Sequence, residues 1–151
     1  MNNEPLITNP QLFTLLSKNG WSPDRQVDLP DWMINKSSDS LISCPASERI
    51  LRNFGYLEIN ISPNNYGPVE LIWFEPNPSD EKTTQMWKRR TGMNLFYIAS
   101  VDVQAELLIN EDGECYISMR DLWKVGGNID EALAYLFLGM GECPMIARGS
   151  Q

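Results

Sequence analysis

A change of sequence period at Gly55 constrains the fold of this 151-residue chain more than any other feature. Before Gly55 the apolar side chains recur at helical spacing, whereas residues 56–61, "YLEINI", alternate between two sides as a strand does. The run "VELIWF", after the turn-rich loop "SPNNYG", supplies a partner strand, so residues 56–74 are predicted to form a β-hairpin. Helices followed by antiparallel strands are typical of α+β proteins.

Boundary signals predict two helices before this hairpin. Asn9 and Pro10 form a helix start, with a side-chain acceptor at the cap and proline at the first helical position, and Gly20 ends that helix. Pro45 begins and Gly55 ends the helix that leads into the first strand. A short helical stretch is also predicted at "PDWMINK" between them.

Three more strands and a helix follow the hairpin. The strands are "NLFYIAS", "AELLIN" and "CYISM", and Asp112-Gly113 is a strong turn signal between the last two. Asn128 caps the final helix and Gly139 ends it. We therefore predict a single domain over residues 1–151, with a core at about 9–139 and a loose tail at 140–151. The fold is expected to be α+β, with about five mainly antiparallel strands and helices packed on one face.

The charge and hydropathy of the chain limit its partners. A formal net charge of −8 and an isoelectric point of about 4.5 disfavour direct binding to nucleic acid. An acidic surface suits a basic protein partner, although it also serves solubility alone. The sequence contains no apolar run of the roughly 20 residues that span a bilayer, and "MNNEPLITNP" has no signal-peptide pattern. We expect a cytoplasmic protein that does not bind a membrane.

The residue types argue against most enzyme chemistry. The sequence contains no histidine, which removes the commonest general base and the usual nucleophile-activating partner. Its three cysteines, Cys44, Cys115 and Cys143, are widely spaced and form no metal-binding pair or disulfide framework. We expect reduced thiols, no metal, no cofactor and no catalytic residue. Carboxylate or lysine chemistry stays open as a weaker alternative.

The connection "SKNGWSPDRQVDLPDW" is a candidate structural motif or a candidate site. Trp21 directly follows the helix stop at Gly20, and Pro23 fixes a turn beside Arg25. The five donors of an arginine are enough to bind two or three loop carbonyls. We interpret the segment as a buttress that holds the first helix to the sheet, since no substrate chemistry requires this order of residues.

Acidic side chains recur on one predicted face of the sheet and form the candidate partner-binding surface. By period-2 alternation they would give a charged strip with aromatic anchors, a composition that protein interfaces favour. A solvated outer face without a partner is the alternative interpretation. The candidate residues are Glu58, Glu70 and Glu106 on strands, Tyr56 and Tyr116 between them, and Glu75 and Asp80 in the following loop.

Taken together, these segments resemble the SUKH superfamily, and most closely its SUKH-3 immunity protein subgroup. The similarity covers roughly residues 12–139 and rests on "LLSKNGWSPDRQVD", "ASERILRNFGYLEI", "IWFEP", "LFYIAS", "ELLINEDGECYI" and "DEALAYLFLG". Its most specific part is the leucine-rich helix that leads into Gly20-Trp21, a proline turn and Arg25, with the helix stop at Gly55 in support. The chain departs from the family pattern at Asp24 and Tyr56, where glycine is usual.

The resemblance implies an α+β fold without catalytic residues and an intracellular protein-binding function. Members encoded beside polymorphic toxins neutralise those toxins by direct binding, and many of the toxins are basic nucleases. The resemblance therefore implies a cognate toxin as the partner, with a monomer or a homodimer equally open for the free protein. Other superfamily members, including yeast cell-wall-synthesis regulators, imply a constitutive adaptor as the alternative. A toxin gene next to the gene for this chain would favour immunity.

Overall fold

Antiparallel strands that follow one another in chain order form the sheet of this protein. The computed structural model describes residues 5–34, 43–61, 68–76 and 81–149. Within them, seven strands are hydrogen-bonded in the order β1 to β7. The strands are β1 Glu58–Asn60, β2 Leu71–Phe74, β3 Phe96–Val101, β4 Ala105–Ile109, β5 Cys115–Met119, β6 Asp121–Gly126 and β7 Met145–Ala147. The helices are α1 Pro10–Ser17, α2 Asp31–Ile34, α3 Pro45–Phe54, α4 Glu81–Thr91 and α5 Ile129–Leu138.

The α+β class and the antiparallel sheet are confirmed, but the prediction of about five strands was wrong. The sheet has seven strands because β6 and β7 join it beyond β5. Within the predicted loose tail at 140–151, the described residues include a strand, β7. Residues 145–147 pair with β6 as an edge strand, and Lys124 N donates to Pro144 O at 2.9 Å, a typical hydrogen-bond length.

The helix ends follow the local signals in the sequence. Asn9 Oδ1 accepts from Gln11 N and Leu12 N at the start of α1, at 3.0 and 3.1 Å. Asn128 Oδ1 accepts from Glu131 N at 2.8 Å at the start of α5, and Gly139 ends α5 in a left-handed conformation. These bonds satisfy backbone groups that a helix cannot pair internally, so short polar residues fix where each helix begins.

One face of the sheet forms the main hydrophobic core. This core is one continuous cluster of buried side chains, which come from helices α1, α3 and α5 and from the inner face of strands β1 to β6. Its fully buried members include Leu12, Phe54, Ile72, Leu107 and Phe137. Since alternate side chains of a strand point to opposite faces, this burial forces the intervening residues onto the other face.

Helix α4 packs on that other face, so the prediction of helices on one face only was wrong. Trp87 of α4 is fully buried in a second cluster with Leu108, Tyr116 and Leu122, whereas Leu107 belongs to the main core. The indole Nε1 of Trp87 also donates to Ser118 Oγ at 2.8 Å. The sequence gives only a weak helix signal here, because the polar loop before it and the basic residues 88–90 mask a single large apolar anchor.

The connection after Gly20 is anchored to the end of α3. Trp21 is buried between Phe13 and Phe54, with ring centroids 5.1 and 5.8 Å away. Its Nε1 donates to Oδ1 of the buried Asn53 at 2.7 Å, and Asn53 Nδ2 donates to Arg25 O at 2.9 Å. Asn53 therefore holds both sides of the connection.

The side chain of Arg25 forms its hydrogen bond with α3 and not with the carbonyls of its own loop. Its Nη1 donates to Asn53 O at 2.8 Å, and Val27 N donates to Arg52 O at 2.7 Å. Both bonds satisfy carbonyls in the last turn of α3, where a cation is also favoured by the helix dipole. The side chain is half-buried, and this burial lowers the pKa of Arg25 from its ordinary value.

Two glycines allow the close contacts of this region. A Cβ at Gly55 would lie 2.4 Å from Leu51 O, and Gly20 has a φ of +95° with Leu57 against it. The helix stop at Gly55 thus lets the chain turn back tightly from α3 into β1. The backbone of Tyr56, next to it, has a φ of +67°, a conformation that glycine adopts more readily.

We expect Asn53→Ala to destabilise the protein more than Arg25→Ala. The Asn53 change leaves the buried Trp21 N–H unpaired, which costs about 1–3 kcal/mol, whereas the Arg25 change removes a bond that is only part-buried. Urea unfolding of the two variants measures the difference. An Arg25→Ala loss equal to or larger than the Asn53→Ala loss would show that the arginine is the main anchor.

Candidate partner-binding surface

A row of directly paired residues crosses the outer face of the sheet. Glu58 lies opposite Trp73, Trp73 opposite Ser100, Ser100 opposite Glu106, and Glu106 opposite Ser118. Paired residues on antiparallel strands share a face and neighbouring strands lie about 4.8 Å apart, so Glu58 and Glu106 are three strand spacings, about 14 Å, apart. The small Ser100 lies between Trp73 and Glu106 and leaves a depression there.

A groove with a volume of about 760 Å³ follows this row. Helix α4 covers the β4 to β6 part of the face through Trp87, and the groove is the part that α4 leaves open. Thr83 and Met86 of α4 form one side of the groove, and residues of the β3–β4 and β5–β6 turns form its end. The groove is lined by Glu58, Leu71, Trp73, Glu75, Thr83, Met86, Tyr97, Ser100, Val103, Gln104, Ala105, Glu106, Ser118, Met119, Arg120 and Gly149.

The groove combines negative charge with exposed apolar side chains. Its lining includes three carboxylates, Glu58, Glu75 and Glu106, and one guanidinium, Arg120, which leaves a formal charge of −2. Trp73 is 44% exposed. An exposed tryptophan beside carboxylates can stack on a cationic side chain while the carboxylates pair with its charge. This arrangement favours a basic ligand group.

Three of the predicted acidic residues lie together in this groove. Glu58 is exposed, Glu75 is half-buried just beyond β2, and Glu106 is half-buried with its Oε1 fully shielded from solvent. Because a partly desolvated carboxylate is screened less than an exposed one, Glu106 acts more strongly on a charge in the groove than an ordinary surface glutamate.

Glu70 does not line the groove, contrary to the prediction that it shares a face with Glu58. The strand begins at Leu71, and Glu70 precedes it in a bend. The residue opposite Glu58 is Trp73, which is three positions from Glu70, an odd spacing that cannot keep two side chains on one face of a strand. The continuous apolar run "LIWF" hid this alternation in the sequence.

The two predicted tyrosine anchors are also not in the open groove. Tyr116 is on the outer face as predicted but is only 4% exposed, because Trp87 of α4 packs over it. Burial accordingly raises the pKa of Tyr116. Tyr56 is 55% exposed but precedes β1 and does not line the groove. Asp80 lies outside the described residues.

Trp73, the turn residue Val103 and the last residue of β5, Met119, were missed by sequence reasoning. Trp73 gave no clear signal, because all four residues of "LIWF" are apolar and alternation alone does not say which pair faces the core. Val103 and Met119 gave no signal either, since their proximity depends on the pairing of β4 with β5.

The described residues offer no metal centre and no reactive thiol in this groove. Residues 5–34, 43–61, 68–76 and 81–149 contain no cluster of histidine, cysteine, aspartate or glutamate that could hold a metal ion. Burial raises the pKa of Cys115 to about 12, so this thiol stays protonated at neutral pH. In the same part of the chain, the helices are too short or too polar to cross a membrane.

Comparison with known proteins gives a family for the chain. The family model described as SUKH-3 immunity protein matches residues 9–139. Neither the curated proteins nor the solved structures contain a match. The matched range runs from the N-cap of α1 to the glycine that ends α5, and so includes every strand from β1 to β6. The chain therefore belongs to the SUKH-3 immunity protein family.

Proposed function

We propose that this protein is a non-enzymatic immunity protein that binds a cognate bacterial toxin and neutralises it. The family membership supports the immunity function. The single observation that supports the docking site is the row of Glu58, Trp73, Ser100 and Glu106 along an open groove. The partner of such a groove is a basic surface segment of the toxin.

Charge acts at two distances in this proposal. The net charge of −8 attracts a basic toxin from beyond contact range and raises the rate of productive encounters. Within the groove, the carboxylates of Glu58 and Glu106 flank Trp73 and select cationic side chains over neutral ones. Long-range attraction depends on ionic strength, whereas the packing of Trp73 does not.

Neutralisation then follows from occupation of the toxin's basic surface. A toxin that acts on nucleic acid holds the phosphate backbone with lysine and arginine side chains. Carboxylates that pair with those side chains exclude the phosphates from them. This mode of inhibition needs no catalytic residue, and it agrees with a chain that contains no histidine.

The function is tested with the polypeptide encoded by the gene adjacent to the gene for this chain. We expect that polypeptide to arrest growth when expressed alone and to be harmless when this chain is expressed with it. Growth and viability counts measure the protection. An adjacent product that is harmless alone, or toxic in the presence of this chain, would contradict immunity and favour an adaptor that binds an endogenous protein.

We expect the double variant Glu58→Lys, Glu75→Lys to associate more slowly with the same polypeptide. Reversing two groove charges removes attraction for a basic surface, so the association rate should fall about tenfold or more at low salt and by less at high salt. Stopped-flow or surface-based kinetics over a range of ionic strength measures this rate.

The matched control is Glu70→Lys, Glu142→Lys. Glu70 and Glu142 are exposed and do not line the groove, and their reversal changes the net charge by the same amount. We expect the control to slow association less than the groove variant at every salt concentration. Equal rates for the two double variants would mean that only total charge matters and that the groove is not the docking site.

We expect Trp73→Ala to weaken the complex by about 30-fold or more, mainly through faster dissociation. A central tryptophan in an interface commonly contributes 2 kcal/mol or more, which corresponds to that ratio. Trp32→Ala is the control, since Trp32 in α2 is similarly exposed, at 40% against 44%, and lies away from the groove. Titration calorimetry measures both affinities. A Trp32 effect as large as the Trp73 effect would place the interface elsewhere.

A further inference from the structure

The turn between β3 and β4 holds a valine in a conformation that valine rarely adopts. Asp102 and Val103 have φ values of +51° and +64°, and Gln104 N donates to Val101 O at 3.1 Å. A β-turn with positive φ at both central positions has the pattern of a type I′ turn, which favours Asn-Gly or Asp-Gly. For a β-branched residue this region is a true outlier, because the branched Cβ crowds the backbone.

The neighbouring hairpin of the same chain uses the favoured residues. The turn between β4 and β5 contains Asp112 followed by Gly113, which has a φ of +88°. A glycine at position 103 would give the turn an Asp-Gly sequence and remove the strain of the branched side chain, while Asp102 keeps its φ of +51°.

Packing within the described chain does not account for Val103. Its side chain is 85% exposed, the largest exposure among the exposed large hydrophobic residues of the described chain. The turn itself is held to the start of β2, since Asp102 Oδ1 accepts from Glu70 N and Leu71 N at 3.1 and 2.9 Å. The fold therefore holds an apolar side chain in water at a strained and well-anchored position, a combination that marks functional sites.

Val103 lies at the end of the groove together with a second exposed apolar residue. Met119, which is 49% exposed, is the last residue of β5 and lines the same end. The next residue, Arg120, also has a positive φ, of +60°. The groove thus has carboxylates along the row of Glu58 and Glu106 and an apolar end at Val103 and Met119.

We propose that Val103 is a partner-contact residue, and that the toxin segment in the groove carries an apolar side chain that packs on Val103 and Met119. This proposal rests on the proposed function. The carboxylates then attract the basic residues of the segment, and the apolar end fixes its direction and position along the groove. Burial of Val103 in the complex offsets the strain that the free protein carries.

The variant Val103→Gly distinguishes a role of Val103 in partner binding from a role in the stability of the fold. It removes the strain and the isopropyl group together, so the melting temperature should rise by about 2–6 °C. Affinity for the polypeptide encoded by the adjacent gene should fall about tenfold through faster dissociation that does not depend on salt. Val103→Thr keeps the branched shape and the strain but replaces one methyl group with a hydroxyl, so it should weaken binding without raising the melting temperature.

Gly113→Val is the reciprocal control. A Cβ at Gly113 meets nothing within 4 Å, so this change adds backbone strain alone, at a hairpin outside the groove. It should lower the melting temperature by a similar amount and leave the affinity unchanged. Differential scanning calorimetry and binding kinetics on all three variants and the wild type give the complete comparison.

The outcomes distinguish this inference from the proposed function. A Val103→Gly protein that is less stable than the wild type, or that dissociates no faster, overturns the role of Val103. If the reversal of Glu58 and Glu75 still slows association in that case, the groove remains the docking site. Absence of binding by the wild-type protein defeats the proposed function and this inference with it.

Discussion

Side-chain alternation along paired antiparallel strands is the constraint on which both the core and the groove depend. Ile59 and Ile72 are fully buried against the helices, and the pairing of β1 with β2 makes them direct neighbours. The adjacent pair, Glu58 and Trp73, must then lie together on the opposite face. The same rule carries the row on to Ser100 and Glu106. The groove is thus formed by the residues that alternate with the core residues along the same strands and point to the opposite face.

The extent of cover on the outer face decides which of these residues a partner can reach. Helix α4 buries Leu108, Tyr116 and Leu122 under Trp87 and stops short of the β1 to β3 part of the row. A half-covered face of this kind exposes Trp73 while it protects Tyr116, although both are aromatic residues on outer positions of the sheet. On the inner face, the bonds of Asn53 to Trp21 and Arg25 hold the connection after α1 to the end of α3. Each face therefore contains a buried tryptophan whose indole N–H is hydrogen-bonded, Trp21 on the inner face and Trp87 on the outer face.

Local features of the fold were predictable, and the features that depend on pairing were not. The caps at Asn9 and Asn128 and the hairpin at Asp112-Gly113 follow from side-chain chemistry within a few residues of each position. The β-bulge in β3 between Tyr97 and Ala99 does not, because it is a property of the pairing with β4. The bulge places Ser100, and not Ala99, in the outer row. Glu70 was assigned to the wrong face for a related reason, since the start of β2 is fixed by its partners.

The sequence by itself determined the α+β class, the antiparallel hairpins, the helix ends, the acidic charge and the resemblance to the immunity protein family. These properties depend on composition or on interactions between residues close in the chain. Only the tertiary structure decided that β6 and β7 extend the sheet, that α4 covers part of the outer face, and that Glu58, Glu75, Glu106 and Trp73 line one groove. Strand register and helix placement are set by burial summed over residues that are distant in the chain, and one residue of shift exchanges the two faces of a strand.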